Sequence, residues 1–190
     1  MPTSLKCLRL SILIVLSAWS LSAMADTQND WSPSGFDETP KKWEEAAIQL
    51  PNPPAAADLM DFYVGPTATQ DFFVDEKSMS ISGDGVIRYT LVSKSKSGAV
   101  NVSYEGIRCA TAERKQYAYG RQDGTWDLAR NPVWRPITEL VANRQHAALV
   151  KDYFCDTNII AGTLTDIKKR IKYKRPLAPA RDYSAGSDNR

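Results

Sequence analysis

Apolar and polar residues alternate most cleanly between positions 84 and 109, DGVIRYTLVSKSKSGAVNVSYEGIRC. Ile87, Tyr89 and Leu91 alternate with Arg88, Thr90 and Val92. After a loop over 93–98, Val100, Val102 and Tyr104 alternate with Asn101, Ser103 and Glu105. A period of two is the signature of a strand with distinct faces, so this stretch predicts a β-hairpin. Setting Ile87, Tyr89 and Leu91 beside Val100, Val102 and Tyr104 makes one apolar face. It also sets Arg88 and Thr90 beside Ser103 and Glu105 on a polar, charge-paired face. Gly106 interrupts the second arm and marks an expected bulge.

Other strands are predicted around it. Phe62-Tyr63-Val64, Phe72-Phe73-Val74 and Met79-Ser80-Ile81 are short β-favouring runs, and Gly83-Asp84-Gly85 is a tight turn. Residues 115–121 alternate Tyr117 and Tyr119 with Gln116 and Ala118, and Gln122-Asp123-Gly124 turns the chain toward Trp126 and Leu128. Trp134-Arg135-Pro136 breaks the pattern. Helical spacing appears twice. Asn143 can cap a helix through about Tyr153 with His146, Leu149, Val150 and Tyr153 on one face. Leu164, Ile167 and Ile171 follow a Thr163/Asp166 capping box, and Pro176 ends that helix. These elements predict a single α+β domain over 59–173, a twisted antiparallel sheet with one or two packed helices.

The ends read differently. Lys6 and Arg9 precede an apolar run over 10–21, and Ala23-Met24-Ala25 supplies the small residues of a cleavage site. Residues 1–25 are thus read as a secretory signal peptide cut after Ala25, giving a periplasmic protein with no transmembrane segment. The competing reading is an uncleaved anchor, although the run falls short of the roughly 20 residues that span a bilayer. Cys7 precedes the apolar run, which argues against lipid attachment. Residues 26–58 are rich in Pro and acidic residues and read as a linker, with a short helix allowed over 42–49.

Cleavage would change both the cysteine count and the charge balance. Two cysteines remain, Cys109 and Cys155, and an oxidising compartment favours a disulfide between them over two buried thiols. The full chain of 190 residues carries 24 basic and 22 acidic residues. Residues 26–167 hold 14 bases and 20 acids, whereas residues 168–190 hold 8 bases and 2 acids. An acidic body therefore carries a basic end, of which 174–190 reads as a disordered tail. That end could engage an anionic envelope surface or fold back on the body. Secretion and the acidic body argue against nucleic acid as a target.

The motifs DGVIRYT, GAVNVSYEGIRC, YAYGR followed by DGTW, and FCD resemble those of the cryptic neisserial protein-like family of secreted bacterial proteins. The likeness spans residues 43–171. It implies secretion and a shared domain, and it carries no catalytic residue onto this chain.

The candidate binding residues are Arg88, Ser103, Glu105, Arg108, Tyr119, Arg121 and Trp126, with Tyr117 close by in sequence. Arginines and aromatics on a sheet face suit a carboxylate, a glycan or a peptide, and ordinary sheet packing explains them equally well. Glycosidase chemistry requires two facing carboxylates, for which Glu105 and Glu113 are available. His146 is the single histidine and reads as a half-buried structural residue on its helix. No cofactor, metal site or catalytic residue is expected. The expected function is a non-enzymatic periplasmic or envelope-associated binding module whose partner is an envelope protein or an anionic envelope polymer. The alternative is a cell-wall or glycan hydrolase working through Glu105 and its neighbours.

Overall fold

The computed structural model describes residues 42–138 and 144–177. The predicted leader, the greater part of the linker, the Asn143 cap and the end of the basic tail lie outside them. The fold is α+β, as predicted. An eight-stranded antiparallel sheet runs β1(Leu59–Phe62), β2(Gln70–Asp75), β4(Val86–Ser95), β5(Val100–Arg108), β6(Glu113–Gly120) and β7(Trp126–Leu128). Two short strands pair off this path, β3(Ser80–Ile81) with β4 and β8(Arg135–Pro136) with β6. Pro136 is tolerated because a proline at a sheet edge need not donate to a ladder. None of the described helices is long and apolar enough to cross a membrane.

The central hairpin forms, but in a different register from the expected one. Tyr89 lies opposite Glu105, Leu91 opposite Ser103 and Ile87 opposite Ile107, while Arg88 lies opposite Gly106 and Thr90 opposite Tyr104. A shift by an odd number of residues exchanges the two faces of a strand. Glu105 and Ser103 therefore join Tyr89 and Leu91, and Arg88 sits on the other side of the sheet. The apolar and polar residues are not sorted by face, because both faces are covered. Every residue of β4 from Val86 to Val92 is buried.

Helices cover the first face. α1(Arg144–Ala148) continues into a π-helical turn, Leu149–Phe154. The wider i→i+5 winding delivers Leu149, Tyr153 and Phe154 together into the core. Phe154 packs edge-on to Tyr89 at 5.3 Å between ring centres, and Tyr153 meets Phe62 at 6.1 Å. A two-residue ribbon, β9(Cys155–Asp156) with β10(Ile159–Ile160), leads to α2(Leu164–Lys172). Its predicted capping box is present: the Thr163 hydroxyl accepts from the Asp166 amide, and the Asp166 carboxylate accepts from the Thr163 amide. Ile167 and Ile171 are fully buried, each stabilising the fold by about 2 kcal/mol through area removed from water. The disulfide between Cys109 and Cys155 ties the end of β5 to the end of the π-helical turn.

An extended arm covers the second face. Residues 42–50 form no helix, contrary to the expectation for 42–49, because their backbone bonds outward rather than to itself. The Ala46 amide donates to Asp84 Oδ2 at 2.8 Å, and the Ala46 carbonyl accepts from Arg88 at 3.3 Å. Trp43 Nε1 donates to the Asp84 carbonyl, and Ile48 packs with Tyr104, Tyr117 and Ala118. The bulge expected at Gly106 lies across the ladder instead. Tyr104 pairs with Ala118 and Glu105 with Gln116, leaving Tyr117 as the extra residue. Gly106 makes room for it: a Cβ there would lie 2.5 Å from the Tyr117 hydroxyl and 2.9 Å from Val86.

Candidate functional site

The described helices leave the β5–β6 end of the first sheet face open, and the chain's least ordinary polar group lies at its inner edge. Glu105, 3% exposed, is a buried carboxylate in the sheet. The Ser103 hydroxyl donates to its Oε1 at 2.6 Å, and the Tyr89 hydroxyl donates to Oε2 at 3.2 Å. His146 Nε2 lies 2.6 Å from Oε2. Burial alone would raise the Glu105 carboxyl. The His146 charge, the hydrogen bonds from His146 and Ser103, and the Arg114 charge outweigh burial and hold it below the usual range. An ionised carboxylate only accepts, so His146 Nε2 must donate to it. His146 Nδ1 is buried and finds no partner among the described residues. Burial, followed by the charge of Glu105, pushes the Tyr89 hydroxyl well above its ordinary value.

Outside this buried group lies open space. A cleft of about 410 Å³ runs past Gln70, Ser103, Glu105, Gln116, Arg144 and His146. Arg144 reaches across it to donate to the Thr67 hydroxyl. Arg114 and Gln116 form a wall shared with a second groove of about 550 Å³, lined also by Tyr119, Arg121, Asp127, Arg130 and Arg135. Alternation along β6 explains the wall, since Arg114 and Gln116 project from the face that carries Glu105. Tyr119, paired with Ser103, is 52% exposed. Arg121 Nε donates to Asp127 Oδ2 at 2.7 Å, and a second bond joins the same pair.

The seven sequence-predicted site residues are thus divided between the two faces. Ser103, Glu105, Tyr119 and Arg121 belong to the open end of the first face. Arg88, Arg108 and Trp126 lie on the second face, where each holds the arm. Arg88 grips Asp84 through two bonds, 2.6 and 3.2 Å, with Glu45 3.8 Å away. The Arg108 guanidinium stacks 4.0 Å over Trp43, and Trp126 Nε1 donates to the Pro51 carbonyl at 2.8 Å. Tyr117 is there too, its hydroxyl donating to Glu45 Oε1 at 2.7 Å. Glu113 pairs with Arg108 across the ladder, on the face opposite Glu105, so the two nominated carboxylates do not face each other.

Two acidic residues that sequence reading passed over organise the second face. Glu45 accepts from Lys115 Nζ at 2.6 Å, from Tyr117 and from Trp134 Nε1 at 3.3 Å. Burial would raise its carboxyl, and those three donors together with the Lys115 charge lower it instead. Asp84 reads as turn chemistry, yet its side chain is 2% exposed. Burial is outweighed there by Arg88 and by the amides of Ala46 and Val86, which lower the carboxyl. On the first face, Arg114, Arg130, Arg135 and Arg144 were also missed. The available signal was the recurrence of arginine along 114–135 beside Tyr119, which spacing alone does not place in one groove. Among the described residues, no three His, Cys, Asp or Glu side chains are grouped so as to hold a metal ion.

These features define a disulfide-linked α+β domain whose sheet is closed by helices on one face and by an extended arm on the other. The chain belongs to the CNP1-like family, whose family model matches residues 38–172 and so takes in the arm as well as the sheet. It is similar to Cryptic neisserial protein 1 of Neisseria gonorrhoeae, with 28% identity over 180 residues covering 82% of this chain and 89% of that protein. No solved structure matches it.

Proposed function

We propose that this protein is a non-enzymatic binding module of the bacterial envelope, exported by a signal peptide cut after Ala25 and resident in the periplasm. Its partner, an envelope protein or an anionic envelope polymer, docks on the open end of the first sheet face. The observation that carries this reading is the joined pair of grooves around Arg114 and Gln116, with the Tyr119 ring exposed in one of them. The sequence of residues 1–25 supports export, and the Cys109–Cys155 bond suits an oxidising compartment. A hydrolase working through Glu105 is the alternative reading. Its support is the carboxylate–histidine pair, in which an ionised acid orients an imidazole. Against it, both Glu105 oxygens are already engaged and the side chain is almost fully buried.

The test is a photo-crosslinking residue placed at Val133, which lines the larger groove and is 40% exposed, with Val100 in the β4–β5 hairpin as the control site. Irradiated intact cells should give a discrete adduct from position 133 and none from position 100. Equal labelling from both positions, or none from 133, would remove the groove as the docking site.

A further inference from the structure

Resting on that docking site, we infer that the larger groove binds an acidic saccharide, a sugar chain bearing carboxylate groups. Among the described residues, four arginines line it, Arg114, Arg121, Arg130 and Arg135, against the single carboxylate of Asp127. Asp127 is already engaged by Arg121, and Arg130 and Arg135 make no ion pair among the described residues. Residues 26–167 have an excess of acids, 20 against 14 bases, so general basicity does not account for the cluster. Arg130 and Arg135 are the two that no carboxylate of the described residues neutralises, and they focus a positive field into the groove of about 550 Å³. The fork of a guanidinium matches a carboxylate through two parallel hydrogen bonds.

Charge alone would suit any polyanion; the other lining groups specify a sugar. The exposed Tyr119 ring presents an electron-rich face that attracts the electropositive C–H edge of a pyranose. The Gln116 and Asn131 amides, also in the lining, can both donate to and accept from sugar hydroxyls. Aromatic face, amides and guanidinium forks therefore meet the three chemical parts of an acidic sugar, which are its ring, its hydroxyls and its carboxylate.

The experiment uses the disulfide-bonded protein and three probes followed by calorimetry: tetragalacturonate, neutral maltotetraose and inorganic tripolyphosphate. Tetragalacturonate should bind, more weakly as salt rises, and maltotetraose should not bind detectably. Replacing Arg130 and Arg135 together by alanine should weaken tetragalacturonate binding by about tenfold or more. Tyr119→Ala should weaken it too, with recovery in Tyr119→Phe, while leaving tripolyphosphate binding unchanged. All these side chains are exposed, so thermal unfolding of each variant should match the parent. As a control, Lys168→Ala on α2 should leave all binding unchanged. Tripolyphosphate binding as tightly as tetragalacturonate would reduce the groove to a plain anion sink and overturn the inference. Absence of tetragalacturonate binding would overturn it as well. If the adduct at position 133 persists in either case, the docking site stands and only the saccharide assignment falls.

Discussion

Glu105 is stabilised by being surrounded with donors rather than by being exposed. Its two oxygens receive Ser103, Tyr89 and His146, with Arg114 adding positive charge. Each of the three hydrogen-bonding neighbours depends on an acceptor at that position. Glu105→Gln keeps the shape but replaces one accepting oxygen with an NH₂ group directed at a donor, and it removes the negative charge that Ser103, Tyr89 and His146 surround. Leaving buried donors without their charged acceptor costs about 3 kcal/mol. We expect Glu105→Gln to lower the free energy of unfolding by about that amount in urea titration. A loss below about 1 kcal/mol would mean that the fold does not need the buried pair, and would strengthen the reading in which Glu105 and His146 act on a substrate.

At the scale of elements, the arm over residues 42–58 is the part that composition misrepresented. Its prolines and acidic residues read as a linker, yet Glu45 is a hub for Lys115, Tyr117 and Trp134, and Asp84 fastens Ala46 and Arg88. Both carboxyls titrate lower in the folded protein than in the unfolded chain. The unfolded chain therefore binds more protons in mild acid. The stability these groups supply is complete above the unfolded carboxylate range near pH ~4 and is lost as the pH falls through the lower folded values. Because they hold the arm to the sheet rather than the sheet to itself, acid should release the arm first. Trp43, Trp126 and Trp134 all report on that contact. Their emission should shift to the red below pH ~4, ahead of the loss of the β-sheet circular dichroism signal. Coincident transitions would show instead that arm and sheet unfold as one unit.

The arm also explains what could and could not be read from the sequence. Features set by a few neighbouring residues were legible: the Asp84-Gly85 and Asp123-Gly124 turns, the Thr163/Asp166 cap and the buried Ile167 and Ile171. The register of β4 against β5 was not. Alternation separates the two faces of each strand but does not say which face of one meets which face of the other, and pairing apolar with apolar assumes one wet side. Here the arm reaches the second side at Arg88, and Arg88, Thr90 and Val92 are buried just as Tyr89 and Leu91 are. The candidate site was legible in part for the same reason. Ser103, Glu105, Tyr119 and Arg121 stay together because they alternate on paired strands, whereas Arg130, Arg135 and Arg144 arrive from segments whose placement depends on the tertiary fold.

For the whole molecule, two long-range fastenings compete for importance, charge and the disulfide. The basic end is partly spent on the body. Lys172 lies 3.6 Å from Glu76, and Lys174 pairs with Asp61. These pairs are exposed, so each contributes at most about 1 kcal/mol and weakens in salt. The disulfide closes a separation of 46 residues, a loop that contains β6, β7, β8, α1 and the π-helical turn. Restricting a loop of that length in the unfolded chain stabilises the fold by about 4 kcal/mol on chain-entropy grounds. That is a large share of the roughly 5–15 kcal/mol typical of a domain. The double variant Cys109→Ser/Cys155→Ser should therefore unfold at markedly lower urea concentration, with the loss close to about 4 kcal/mol. Reductant should shift the parent by a similar amount and leave the variant unmoved. Raising salt should shift both proteins equally and by far less. If reduction leaves the parent's midpoint in place, the β5 end and the π-helical turn are held by the packing of Tyr89, Phe154 and Leu149 alone, and the bond is dispensable to the fold.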